Sequence, residues 1–180
     1  YTVSGNLTTI DNQVLSLGRG PEDAIFEGPK GISRSMEGYP VAHFYGYQVI
    51  GVYQNKEDVK RYYPNKVGSP APGDLKFKDV NGDGVITQDD RTMIGNPTPD
   101  LTYGFNVNLE YRNFDLGVDM MGVYGNEIYR TWDDPTYAQL NYLTSRMNRW
   151  HGEGTSNWEP ILNPSRELNL LNSNYFIEDG

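Results

Sequence analysis

Residues 79–90, DVNGDGVITQDD, place four aspartates and an asparagine within twelve positions, spaced mostly at every second residue around a glycine. Oxygen donors in that rhythm are what a calcium loop needs, because calcium takes six to eight hard ligands from positions one, three, five, seven, nine and twelve of such a loop. Here those positions are Asp79, Asn81, Asp83, the carbonyl of Val85, Thr87 through its hydroxyl or a water, and Asp90. Gly84 stands at position six, where the chain must turn sharply, and Ile86 at position eight can anchor the loop to a core. Position twelve departs from the pattern: Asp90 replaces the longer glutamate, so bidentate ligation is weaker. Four carboxylates this close would repel one another without a cation. Magnesium fits less well, since it demands octahedral geometry and retains water. The alternative needs no ion: Asn81-Gly82 makes a turn, and Thr87 with Asp90 forms a capping box for a short helix ending at Gly95.

No other constellation suggests chemistry. His43 and His151 are the only histidines and have no partner in sequence that suggests catalysis, and cysteine is absent. The short glycine pairs lack the strand and helix context of a phosphate loop. We therefore expect no enzyme, no catalytic residue and no organic cofactor. With 24 acidic against 15 basic residues and a formal charge of −9, the chain lacks the basic footprint of a nucleic-acid binder.

The elements that would position the acidic loop are predominantly strands. Among 180 residues there are 20 glycines, 11 prolines and 14 tyrosines, a composition of short strands and many turns. Residues 11–38 read as loop with short extended pieces, YPVAHFYGYQVIGVYQ as a β-rich region apolar on both faces, NKEDVKRYY as a short helix, and GDLKFK as extended. DDPTYAQLNYLTSRMNRWHG predicts a helix over about 135–150, with Asp134 as cap, Pro135 in the first turn and Gly152 at the exit. No run of about 18 apolar residues forms a membrane helix, and no signal-peptide pattern is present. YTVSGNLTTI and NYFIEDG both read as strands cut by the chain ends, as in an excised piece.

Residues 101–124 carry the clearest pattern. Leu101, Tyr103, Phe105, Val107, Leu109 and Tyr111 alternate with smaller or polar residues, and after Arg112-Asn113 the parity reverses to Phe114, Leu116, Val118 and Met120. A two-residue turn pairs Tyr111 with Phe114, Leu109 with Leu116, Val107 with Val118 and Phe105 with Met120, so all eight share one face. Such a hairpin suits one sheet of a soluble sandwich. It equally suits a membrane barrel wall, because nine residues span roughly 30 Å, or about 23 Å when tilted.

The stretches GNLTTIDNQVLSLG, FYGYQVIGVYQNKEDV, the run from Gly73 to Tyr129 and RWHGEGTSN together resemble the C-terminal barrel region of SusC/RagA-type TonB-linked outer-membrane receptors. The resemblance implies an all-β-dominated chain that is a fragment of a transmembrane β-barrel. The hairpin 101–124 would lie in the wall, flanked by long loop regions over 10–100 and 125–180 with one or two short helices. It further implies a parent with an N-terminal plug that engages TonB, a SusD-like lipoprotein as lid, and uptake of oligosaccharides or peptides. Residues Asn106, Asn108, Glu110, Asp115 and Asp119 would face the lumen, the apolar face would meet lipid, and a periplasmic turn at 112–113 would leave the calcium loop extracellular. The other reading is a secreted, calcium-stabilised β-sandwich that binds carbohydrate.

Overall fold

A computed structural model describes residues 1–18, 25–28, 31–62, 67–132, 142–163 and 165–180. The long alternating segments form a three-stranded antiparallel sheet from β1 (Thr2–Thr9), β8 (Leu101–Tyr111) and β9 (Phe114–Tyr124), in the order β1-β8-β9. The β8–β9 register pairs Tyr111 with Phe114, Leu109 with Leu116, Val107 with Val118 and Phe105 with Met120, as the alternation requires. The turn is held by Arg112, whose φ of 57° is left-handed. Strand β1 extends the apolar face, since Val3 lies opposite Val107 and Leu7 opposite Tyr103. Gly122 lies beneath the ring of Tyr103, where a Cβ would collide with the phenol.

Both faces of this sheet are open. Leu7, Phe105, Leu109, Phe114, Leu116 and Met120 are all more than two-fifths exposed, and no other element of the described residues packs broadly on the sheet. The apolar face therefore belongs against something other than water.

The core lies elsewhere, in the segments that flank the hairpin. There β2 (Ile25–Glu27), β3 (Ser33–Ser35), β4 (His43–Gly46) and β7 (Thr92–Gly95) form one small sheet, while β5 (Val49–Val52) pairs with β6 (Leu75–Phe77) and β10 (Glu127–Tyr129) with β11 (Ile177–Asp179). Tyr47, Val49, Val52, Leu75, Phe77, Ile86, Leu168, Tyr175 and Phe176 make one buried cluster, with Tyr47 stacked on Phe77 at 4.8 Å. Of the expected β-rich stretch YPVAHFYGYQVIGVYQ, residues 39–42 turn, and from His43 on it is extended and mostly buried on both faces, with Ile50 exposed. The short helix α1 (Lys56–Arg61) begins at Asn55, whose side chain accepts the amide of Asp58, and it carries Glu57 and Asp58 at its positive end.

Two expected helices differ. After the Thr87–Asp90 capping box the chain makes only a 3₁₀ turn, Gln88–Asp90, and then enters β7, because Thr92 to Gly95 are claimed by pairing with β4. Of the helix expected over about 135–150, residues 133–141 lie outside the described residues. The remainder is a 3₁₀ turn at Thr144–Asn148 bounded by extended Leu143 and Arg149. Its burial of Arg146 against the ring of Tyr175 is a tertiary contact that overrides local preference.

The packed region joins the sheet at the end opposite the 112–113 turn. Ile10 donates to the carbonyl of Asp100, Asp100 to that of Tyr124, and Glu127 to that of Asn96, so the hairpin's ladder continues into the loop region. Among the described residues no helix is long and apolar enough to cross a membrane, which leaves crossing by strands untouched.

Candidate functional site

The acidic loop is delivered by β6 and pinned by Ile86, fully buried in the core cluster, which fulfils its expected anchoring role. Three of the four acidic side chains, those of Asp79, Asp83 and Asp90, accept backbone amides. Asp79 accepts the amides of Gly82 and Gly84 at 2.7 and 2.8 Å, Asn81 accepts that of Asp83 at 2.9 Å, and Asp83 accepts that of Val85 at 2.8 Å. Gly82 and Gly84 sit at φ 77° and 80°, a region that disfavours any side chain, so both turns depend on glycine. Asp90 is fully buried. Its two oxygens accept the amides of Val80 at 2.8 Å and Thr87 at 2.7 Å, while the Thr87 hydroxyl accepts the amide of Asp89 at 3.2 Å.

The donor set, carboxylates with an amide, a hydroxyl and a carbonyl, has the hard-oxygen character that calcium prefers. Among the described residues no group of three or more acidic or histidine side chains stands close enough to hold a metal ion by itself. The carboxylates of Asp79, Asp83 and Asp90 are held by backbone amides of the loop. The self-repulsion expected from sequence is partly offset in this way, at a typical net 1.5–3 kcal/mol or so for a hydrogen bond to a charged group.

The second feature is the sheet itself. On the face opposite the apolar one, Asn106 donates to Asp119, and Asn108 donates to the Oδ1 of Asn106 at 2.8 Å. Glu110 lies directly opposite Asp115, a like-charge pair. Met121 and Val123 interrupt this polar face at its loop end and are exposed. The alternation that makes the apolar face visible also hides this exception.

Two clusters escaped sequence reasoning because their members are far apart in the chain. Asp74, fully buried, is gripped by Arg166, whose Nε donates at 2.8 Å, and by the amide of Ala71 at 2.8 Å; Arg166 also ties the carbonyl of Ser69. Tyr175 lies between the guanidinium groups of Arg130 and Arg146, 5.3 and 5.2 Å from its ring centre, and donates to Glu159 at 2.6 Å. Burial and then the Glu159 bond raise its phenol well above the ordinary value, so it stays a donor. His43 is buried between Tyr39 and Tyr45 with its Nδ1 2.9 Å from the carbonyl of Pro40.

A sheet open on both faces, apolar on one and polar on the other, joined at one end to a compact loop region, is compatible with a piece of a β-barrel receptor wall. No family model matches the chain. It is 34% identical over 149 residues to TonB-dependent receptor P3 of Formosa agariphila, a match covering 80% of this chain and 14% of that protein. It is 28% identical over 156 residues to TonB-dependent receptor P26 of the same organism, covering 83% and 15%. With the TonB-dependent receptor SusC of Bacteroides thetaiotaomicron it shares 27% identity over 130 residues, 72% of this chain and 12% of SusC. The chain belongs to the SusC-type TonB-dependent receptors and spans about a seventh of the length of the relatives it matches.

Proposed function

We propose that the chain is part of an outer-membrane transporter that takes up oligosaccharides or peptides, driven through TonB and lidded by a SusD-like lipoprotein. The observation that carries this reading is the β1-β8-β9 sheet, whose apolar face is uncovered. A freestanding sandwich would bury that face in its own core. In the transporter reading the face meets lipid, with Tyr111 and Phe114 at one interface and Tyr103 and Tyr124 at the other. The polar face with Asn106, Asn108, Glu110, Asp115 and Asp119 turns to the lumen. The tight 112–113 turn is periplasmic and the packed loop region extracellular, as the short-turn, long-loop asymmetry of such barrels suggests.

Within that region we assign a structural calcium site to Asp79, Asn81, Asp83, Val85, Thr87 and Asp90. Its support is the ligand spacing, the all-oxygen donor set and the glycine at position six; binding requires the carboxylates to draw together from their present amide-bonded positions. An affinity on the order of 10⁻⁴ to 10⁻³ M suits an extracellular module.

The test of the transporter is heat-modifiability of the whole receptor from the cell envelope. A large outer-membrane band whose gel mobility changes on boiling is expected; a soluble band near the 20.4 kDa of this chain would refute it. For the ion, titrating calcium into metal-free receptor should release heat and raise the melting temperature of the loop region. No heat and no shift would sink the assignment.

A further inference from the structure

Asn81 is the one asparagine of the chain that glycine follows, and two residues on Asp83 precedes Gly84. Both pairs are open to solvent: Asn81, Gly82 and Asp83 are exposed, and a Cβ at either glycine would meet nothing within 4 Å. Such pairs are chemically labile, because a glycine nitrogen unhindered by a side chain can attack the side-chain carbonyl carbon of the residue before it and close a succinimide ring. At Asn81 the new bond joins the Gly82 nitrogen to Cγ, that nitrogen loses its proton, and the carboxamide nitrogen leaves as ammonia. At Asp83 the same closure by the Gly84 nitrogen expels water. Water then opens either ring at one of its two carbonyls, giving an aspartate or an isoaspartate whose main chain runs through the side-chain carboxyl.

The folded loop holds both nucleophiles with one carboxylate. Asp79 accepts the amide of Gly82 on Oδ1 at 2.7 Å and that of Gly84 on Oδ2 at 2.8 Å. The electrophiles are engaged separately, since Asn81 Oδ1 accepts the amide of Asp83 at 2.9 Å and Asp83 Oδ1 that of Val85 at 2.8 Å. An attacking nitrogen must shed its proton and turn towards Cγ. A proton shared with an anion is harder to remove, and the charge-assisted bond keeps the peptide plane facing Asp79. We propose that Asn81 and Asp83 are succinimide-forming modification sites, and that Asp79 is the residue that keeps both intact in the folded loop. Neither uptake nor a bound ion enters this reading. Because one carboxylate guards both glycine nitrogens, release of Asp79 exposes the two sites together. Conversion at Asn81 adds a carboxylate to the four of residues 79–90, and its isoaspartate form lengthens the main chain where Gly82 makes its left-handed turn.

The test ages the whole receptor in detergent at neutral pH with a chelator present, folded and urea-unfolded, and follows residues 79–90 by peptide mass spectrometry with isoaspartyl methyltransferase labelling. Deamidation at Asn81 and isomerisation at Asp83 should both appear in the unfolded protein and run about tenfold slower in the folded one. Asp79→Ala should recover most of that difference at both positions while keeping the heat-dependent gel shift. Asp90→Ala controls for general loosening, because it removes the bonds to Val80 and Thr87 and leaves both glycine bonds to Asp79 in place; it should recover little. The proposal is overturned if folded and unfolded receptor convert at the same rate, if Asp79→Ala converts no faster than wild type, or if both variants convert equally fast. Slower conversion in Asp79→Ala would overturn it as well, by making that carboxylate the base for ring closure.

Discussion

The β1-β8-β9 sheet and the loop region are built from similar residues and stabilised in opposite ways. The sheet has long strands, a continuous ladder and exposed apolar side chains on one face. The loop region has strands of three or four residues, yet it closes around nine buried side chains drawn from Tyr47 to Phe176. In the first, the ladder is long and regular and burial is left to the surroundings; in the second, a buried cluster forms although regular structure is sparse. A short strand is marginal alone and persists where tertiary packing holds it. The difference teaches that the loop region buries its own side chains, while the apolar face of the sheet has no cover among the described residues.

The largest test of that division is Phe77→Ala in the whole receptor. Phe77 is fully buried and stacked on Tyr47, so its loss should cost the loop region about 3–5 kcal/mol. Limited proteolysis should then open the flanking segments while the barrel keeps its heat-dependent gel shift. Loss of both together would mean the two regions are one cooperative unit. Next comes the sheet: Val107→Arg on the apolar face should cost about 2–4 kcal/mol near the bilayer centre, whereas Asn108→Arg on the other face should cost little. Urea unfolding of receptor in lipid vesicles measures both, and equal effects would dissolve the assignment of faces.

A smaller effect is expected at the acidic loop. Asp90→Ala removes the capping bond to Thr87 and the bond to the Val80 amide and should destabilise the loop by about 1–2 kcal/mol, read as faster amide exchange at Val80 and Thr87. If calcium is bound there, added calcium should protect these amides in wild type and fail to do so in the variant. Protection that is the same in both would confine the loop to a hydrogen-bonded turn.

What sequence reveals follows the same line between regions. Period-two alternation carries the hairpin because its contacts are local, and Leu109 facing Leu116 follows from counting outward from the turn. The acidic loop is equally local: the bonds of Asp79 to Gly82 and Gly84, and the Thr87–Asp90 box, span only a few residues. The pairing of β1 with β8 could not be read, because alternation marks a strand without naming its neighbour. Nor could the Asp74–Arg166 pair or the Tyr175 cluster, whose partners are distant in sequence. Of the helix expected over about 135–150 only the C-terminal part is described, and that part follows the contacts of Arg146 instead of its own periodicity.

The mildest perturbation, a change of pH, should also distinguish the regions. The sheet strands contain no histidine, while the loop region buries His43. Burial lowers the His43 pKa below its ordinary 6.5, the nearby Arg34 charge acts in the same direction, and the Pro40 carbonyl opposes them in part. Above pH 6.5 the imidazole is neutral both folded and unfolded, so this group takes nothing from stability. As pH falls below 6.5 the unfolded chain gains a proton that the folded site resists, and stability declines until the lower folded pKa is passed. Amide exchange at Tyr45, which donates to the carbonyl of Ile32 beside this site, should therefore lose protection between pH 7 and 5 after correction for intrinsic rates. Amides of β8 and β9 should hold theirs over the same interval. His43→Phe, which keeps a ring against Tyr39 and Tyr45, should flatten the response; an unchanged slope in that variant would assign the pH dependence to the carboxylates instead.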